Sequence, residues 1–340
     1  MDLKDFQLLV ALHQDARQSL LSLGRRVSLS APAVRERLGR LQRDHVLLGY
    51  GLWVDPVVFD RQETLVFFTR ERTREEMMRV LNGPDVAYVG WKLDGGLTVA
   101  LWSDNVNRSM TRLSLFVGET SSGHAVTGAG DLSPLSILDF MIVDALVDDP
   151  KIPFKELVET TRLSPKTVRK HLESLTRSEA IVISPRLGVG SSPGVLVYNL
   201  AVAGRVPMGM IRGVMEDVLL VHETRSPPMK YLLCRSRDLG EVNSRIRALN
   251  RLAGVESAVV SLNRELVFAN QFIHSLVRER VTRLEETRMS RTVVARDKRP
   301  SLGFRAAGCS KPEHHDWWRI LSTSFQLGAT FYLVNGQIPA

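Results

Sequence analysis

The chain has 340 residues, 44% hydrophobic and 24% charged, which is enough for two or more packed cores and excludes a chain disordered throughout. Its 45 Lys and Arg against 37 Asp and Glu leave a formal charge of +8, a balance that favours polyanionic or acidic partners. The two cysteines, Cys234 and Cys309, exclude a disulfide framework and a four-cysteine metal centre, and they fit a reducing compartment.

The opening run MDLKDFQLLVALHQDAR mixes acidic with apolar residues, unlike a secretory leader. No window approaches the roughly 18 apolar residues that span a bilayer. A cytoplasmic, non-membrane protein is expected. Within that run Phe6, Leu9, Val10 and His13 follow helical spacing. A break at Asp15 to Gln18 precedes a short second helix around Leu20 to Val27. Ser30 stands where a helix cap is needed, and Pro32 is tolerated in the first turn of the third helix. That helix turns Val34, Leu38 and Leu41 inward along one stripe. The β-prone LLGYGLWV that follows fits the strands and hairpin of a wing.

The same pattern occurs again. Leu3 to Leu48 overlays Ile137 to Val182 without a gap, at an offset of 134 residues. Asp5 and Phe6 match Asp139 and Phe140, and Leu29, Ser30, Val34, Arg35, Leu38 and Leu41 match Leu163, Ser164, Val168, Arg169, Leu172 and Leu175. Each copy reads as a winged helix-turn-helix. After each comes strand, helix, two strands, helix, strand. In the first copy these are ETLVFFTRE, REEMMRVLN, DVAYVGWKL, LTVALW and VNRSMTRLSLFV; in the second, GVLVYNLAV to LGEVNSRIRALNRL, with ESAVVSLNRELV as further strand. That order describes a ferredoxin-like sandwich.

The fold class expected is therefore α+β, with two winged helix-turn-helix domains, each followed by a ferredoxin-like α/β sandwich. The boundaries fall at 1–58, 59–130, 131–190 and 191–277, with 278–340 a basic linker and tail. Arg278 to Arg305 carries nine Lys or Arg and four acids and reads as a solvated segment. Beyond it, Cys309, His314 and His315 give three potential ligands and no evident fourth, so neither a metal nor a cofactor is expected. Gly188-Val189-Gly190 is loop chemistry, and no phosphate-binding or hydrolase motif is present.

The third helix of each unit is the candidate DNA reader, since a helix fits the major groove and Arg or Lys reach guanine edges or phosphates. In the first unit the candidates are Ser30, Pro32, Arg35, Arg37, Arg40 and Arg43; in the second, Ser164, Lys166, Thr167, Arg169, Lys170 and Arg177. The two faces differ, with Glu36 standing where Lys170 stands and Arg40 where Ser174 stands. Basic residues concentrate here: seven Arg against two acids over Ala16 to Asp44, and seven Lys or Arg against three over Pro150 to Ser178.

The stretch LKDFQLLVALHQDARQSLLSLGRRVSLSAPAVRERLGRLQRDHVLLGY resembles the Lrp/AsnC family, the leucine-responsive regulators, in its early Asp, its Asp-x-Arg before the second helix and its Leu-Ser turn. The resemblance implies double-stranded DNA as partner, transcriptional regulation, and dimer-like pairing through the sandwich sheets, either between the halves of one chain or in a homodimer. Family members that bind amino acids usually carry a Gly and a Tyr-Asp-like pair between the middle strands. Here those junctions read VGWKLDGGLTV and VHETRSPPMKYLL, so the usual effector signature is missing. Sirohaem decarboxylases share the paired architecture, and Val221-His222-Glu223-Thr224-Arg225 faintly echoes their His-containing junction. A tetrapyrrole decarboxylase is the alternative reading.

Overall fold

A computed structural model describes residues 1–128, 132–188, 196–215 and 218–297. The first helix-turn-helix consists of α1 (Leu3–Gln14), α2 (Leu20–Val27) and α3 (Ala31–Arg43), followed by β1 (Leu47–Val54) and a 3-10 turn at Pro56–Phe59. The first sandwich follows as β2 (Gln62–Phe68), α4 (Arg74–Leu81), β3 (Val86–Lys92), β4 (Leu97–Ser103), α5 (Val106–Val117) and β5 (Gly123–Thr127). The second helix-turn-helix is α6 (Ile137–Val147), α7 (Phe154–Thr161), α8 (Pro165–Arg177) and β6 (Ile181–Leu187). The second sandwich is β7 (Leu196–Ala203), α9 (Met208–Val214), β8 (Val218–Ser226), β9 (Met229–Ser236), α10 (Leu239–Leu249) and β10 (Ser257–Ser261). The last elements are β11 (Asn263–Phe268) and α11 (Asn270–Asp297).

Side-chain caps start these helices, those of α3 and α8 where the sequence places them. Asp2 caps α1 in a reciprocal box with Asp5, Ser136 caps α6 in the same way with Asp139, and Ser30 and Ser164 cap α3 and α8.

The two sandwiches share one sheet of nine strands, ordered β10-β7-β9-β8-β5-β2-β4-β3-β11. Laid flat at about 4.8 Å per strand, its edges would stand about 38 Å apart. Only Leu262 separates β10 from β11, the two edge strands, and two residues of chain span about 7 Å at most. The sheet must therefore curl until its edges meet. Closure runs through two seams: β5 joins β8 at Val126↔Ser226 and Thr127↔Thr224, and β11 joins β3 at five positions from Asn263↔Lys92 to Phe268↔Tyr88. The fourth strand of each sandwich, or its continuation, thus borders the other sandwich. The outer face of the first half packs Val66, Val99 and Leu101 against α4 and α5, and that of the second packs Leu200, Val202 and Leu232 against α9 and α10.

A pseudo-twofold axis relates the halves. It passes through the ribbon of β1 and β6, where Tyr50 pairs with Pro185 and Gly51 with Ser184; by the offset of 134, Tyr50 corresponds to Ser184 and Gly51 to Pro185. The expected hairpin wing differs from what is observed: each unit contributes one strand, and the partner strand comes from the other unit. Contacts across the axis are reciprocal. Arg17 donates to the carbonyls of Pro150 and Ile152, at 2.7 Å each, and Lys151, its counterpart, donates to the carbonyl of Ala16, the counterpart of Pro150. Such self-complementarity is how isologous dimers pack, here within one chain.

The division drawn at residue 277 falls inside α11, which begins at Asn270. Ile273, Leu276 and Val277 are buried in the core shared by α6, the 3-10 turn and the first sandwich, and His274 bridges Asp144 of α6 and Asp148 at its C-cap, at 2.7 and 3.1 Å. From Arg278 to Met289, the described start of the segment read as solvated, most side chains are exposed, and Val281 and Leu284 pack partly against the core. Cys309, His314, His315 and the Gly188-Val189-Gly190 loop beyond Gly188 lie outside the described residues, as do the boundaries at 130 and 190.

Candidate nucleic-acid interface

Each reader helix is built in the same way. The Ser30 hydroxyl accepts from the amide of Ala33 at 3.3 Å, and that of Ser164 accepts from Thr167 at 3.1 Å, with Thr167 Oγ1 a further 2.8 Å contact. Ser30, Ser164 and Thr167 are thus engaged in capping, and the free N–H groups of the first turn remain available to a phosphate. Val34 and Leu41 of α3, and Val168 and Leu175 of α8, anchor the helices in their cores.

Arg37 turns in toward α1, whereas Arg40, 45% exposed, keeps its outward place while also reaching back to α1. Arg37 Nη1 lies 2.6 Å from Asp2 and 2.8 Å from Asp5, and Arg40 Nη2 lies 2.9 Å from Asp5, whose side chain is 1% exposed. The Asp5 carboxylate also accepts the backbone N–H of Asp2. A buried carboxylate needs this company, because an unpaired charge away from water is strongly unfavourable. The second unit keeps the clamp with other chemistry: Asp139 lies 2.7 Å from Nδ1 of His171, the counterpart of Arg37. Burial pushes the Asp139 carboxyl up, but hydrogen bonds from Ser136 and His171 outweigh it and hold the group below the usual carboxylate range. The matched Asp5 and Asp139 therefore tie the first helix of each unit to its third.

The remaining candidates are solvent-facing. Pro32, Arg35 and Arg43 on α3, and Lys166, Arg169, Lys170 and Arg177 on α8, are exposed. Arg169 also lies over the Phe154 ring, 5.5 Å from its centroid. Sequence reasoning missed Arg25, exposed in the last turn of α2, and Arg26 beside it, which donates to Gln14 at 2.7 Å. Their signal was the local excess of Arg. Glu36 and Lys170 are both exposed, so the two faces oppose an acid to a base at equivalent positions.

Inside the closed sheet lies a second polar group, in which the sequence reading singled out His222 but passed over Glu63. Glu63, on β2, accepts from Tyr88 Oη at 3.0 Å and Trp102 Nε1 at 2.9 Å, and its other oxygen stands 3.6 Å from Nε2 of His222 on β8. Burial raises the Glu63 carboxyl, against those two hydrogen bonds, and lowers His222 to about 4. Both His222 ring nitrogens lack a hydrogen-bond partner among the described residues. Thr127 links the pair to the β5–β8 seam by donating to the Glu63 carbonyl. The signal in the sequence was a lone acid in the apolar strand QETLVFF. Arg225, the other half of the junction echo, is exposed while His222 is 3% exposed; three residues apart on a strand, they face opposite sides.

The fold and this interface define a paired helix-turn-helix protein, with two DNA-binding-type units braced by a closed double sandwich. Residues 1–42 match the AsnC-type helix-turn-helix domain, and residues 135–182 match the winged helix-turn-helix DNA-binding domain. Solved structures it resembles include the siroheme decarboxylase NirDL, at 14% identity and a TM-score of 0.45, covering 83% of this chain and 99% of that one. A transcriptional regulator of Neisseria meningitidis in complex with L-Met aligns at 16% identity and a TM-score of 0.28, over 40% of this chain and 94% of that one. The leucine response regulatory protein LrpA of Mycobacterium tuberculosis aligns at 17% identity and a TM-score of 0.29, over 40% and 98%. No curated protein matches the sequence. Among the described residues no helix is long and apolar enough to cross a membrane, and no group of three His, Cys, Asp or Glu is placed to hold a metal ion.

Proposed function

We propose that the chain is a sequence-specific DNA-binding transcriptional regulator in which one polypeptide supplies both readers. The observation that carries this reading is the pair of capped helices, α3 and α8, whose exposed cations are held in fixed relation by the β1–β6 ribbon and the Arg17 and Lys151 contacts. Arg35 and Arg43 on one side, and Lys166, Arg169, Lys170 and Arg177 on the other, are the groups to reach phosphates and base edges. Phosphate contacts set affinity and its salt dependence, while the few side chains near each helix N-terminus select sequence. Because the readers differ, the preferred site is an imperfect palindrome. Gel-shift titration against promoter fragments tests this. Binding should fall steeply with salt and weaken when Arg35, Arg169 and Lys170 become Ala; binding indifferent to sequence and to these substitutions would contradict it.

A second reading, a tetrapyrrole decarboxylase, is favoured by one observation, the buried Glu63–His222 pair, since perturbed titratable groups placed together are a mark of chemical sites. The exposed Arg225 on the opposite face speaks against the His-to-Arg junction on which that reading began. Incubation with an iron tetrapyrrole carboxylic acid decides it: carbon dioxide release abolished by His222→Gln supports catalysis, and no turnover removes it.

A further inference from the structure

Between the two helix-turn-helix units lies a cavity of about 350 Å3, walled by the α1–α2 turn of the first and by α8 and β6 of the second. That volume corresponds to about a dozen water molecules, within the range of small-ligand pockets. Leu172, Ile181 and Ile183 form its apolar side, and His13 and Glu179 stand on its polar side. The His13 ring is fixed by the Ser184 hydroxyl, 2.8 Å from Nδ1, while its Nε2 is buried with no hydrogen-bond partner among the described residues. Glu179 is half-buried just beyond α8, at φ +58, and burial raises its carboxyl above the usual range.

The pseudo-twofold axis offers an internal comparison. By the offset of 134, Tyr50 stands where Ser184 stands and Val147 where His13 stands. On that side the Tyr50 ring packs into the same apolar cluster as Leu38, the counterpart of Leu172, and lies 4.8 Å from the Lys151 ammonium, the counterpart of Arg17. Val147 is buried there and its carbonyl accepts from Asn270 of α11. Where one side carries a phenol ring and an aliphatic side chain, the other carries a hydroxyl, an imidazole and open space. The cavity is therefore not a by-product of pairing two such units.

Its charge selects a ligand class. Of the three carboxylates that line the cavity, Asp15 lies in the field of Arg17 and Lys151 and Glu173 is exposed, whereas the half-buried Glu179 has no ion pair among the described residues. We propose that this cavity binds a small organic cation with an apolar body, its ammonium or amidinium group against Glu179 and its body against Leu172, Ile181 and Ile183. His13 Nε2 supplies a second polar contact. An occupant touches both units at once and so sets the angle between the two readers. That consequence rests on the DNA-binding reading; the binding does not.

Isothermal titration of the full chain with benzamidine, a rigid aromatic cation, and with benzoate, its charge-inverted counterpart, tests the site without DNA, so its outcome is independent of any gel shift. Saturable one-to-one binding of benzamidine is expected, at least tenfold tighter than benzoate. Glu179→Asn, which removes the charge and tolerates the left-handed backbone, should weaken it tenfold or more. Ser184→Tyr, which installs the residue of the other half, should abolish it. No saturable benzamidine binding, equal affinity for benzoate, or unchanged affinity in Glu179→Asn overturns the proposal. Should Ser184→Tyr unfold, judged by circular dichroism, the Glu179→Asn result decides alone.

Discussion

At residue scale the first DNA-binding unit closes on Asp5. Replacing Arg37 with Ala leaves that buried carboxylate with the exposed Arg40 as its one charged partner among the described residues. A loss of about 3 kcal/mol in denaturant unfolding is expected, as for a broken buried ion pair. Arg35→Ala should leave stability within about 0.5 kcal/mol and act on DNA affinity alone. The histidines give a pH signature. Burial lowers both His13 and His222 from the ordinary value near 6.5 to about 4, so between those values the unfolded chain binds protons that the folded chain refuses. Stability is complete above about 6.5 and is lost as the pH falls toward 4. His274 behaves oppositely: burial lowers it, but Asp144 and Asp148 outweigh that and raise it, so its contribution is present below 6.5 and fades as the pH rises through its folded value. Melting temperatures of His222→Gln across pH 4 to 7 should show a shallower acid-side slope than those of the parent chain. An unchanged slope would place His222 in water.

At the scale of elements, α11 is a structural part of the core. Leu276→Ala should cost about 2–5 kcal/mol, the usual range for a buried leucine, and leave the DNA-reading faces untouched. Urea unfolding beside a gel shift measures both. The starts of α3 and α8 were legible in the sequence because Ser30 and Ser164 signal locally, through hydroxyls that satisfy orphan amides, whereas the caps Asp2 and Ser136 were not read. The sandwich order was legible from alternating strands and capped helices. The pairing of β1 with β6, and that of β11 with β3, were not, since both depend on partners more than a hundred residues apart. The role of Arg37 was hidden for the same reason: helical periodicity placed it beside the reading face, but only the packing of α1 on α3 brings Asp5 to it. Glu63 was overlooked because strand alternation says which face a residue takes, not what meets it there.

For the whole molecule, duplication has produced a dimer-like body whose two halves are free to diverge. The clamp kept Asp5 and Asp139 but exchanged Arg37 for His171; the ribbon kept its register but exchanged Tyr50 for Ser184; the readers kept their caps but set Glu36 against Lys170. Within the helix-turn-helix units the matched apolar positions agree while the reading faces differ in charge. The salt dependence of DNA binding should reflect both readers: removing one phosphate contact on either helix lowers the slope of log K against log salt by about one.

The most direct test of this account is a footprint of the full chain on its selected DNA site, compared with sites in which either half is duplicated into a perfect palindrome. The account predicts protection of two half-sites by a single chain, strongest on the asymmetric site, with Lys170→Glu weakening one half-site and leaving the other. Equal affinity for both palindromes and the natural site, or protection of one half-site only, would contradict it.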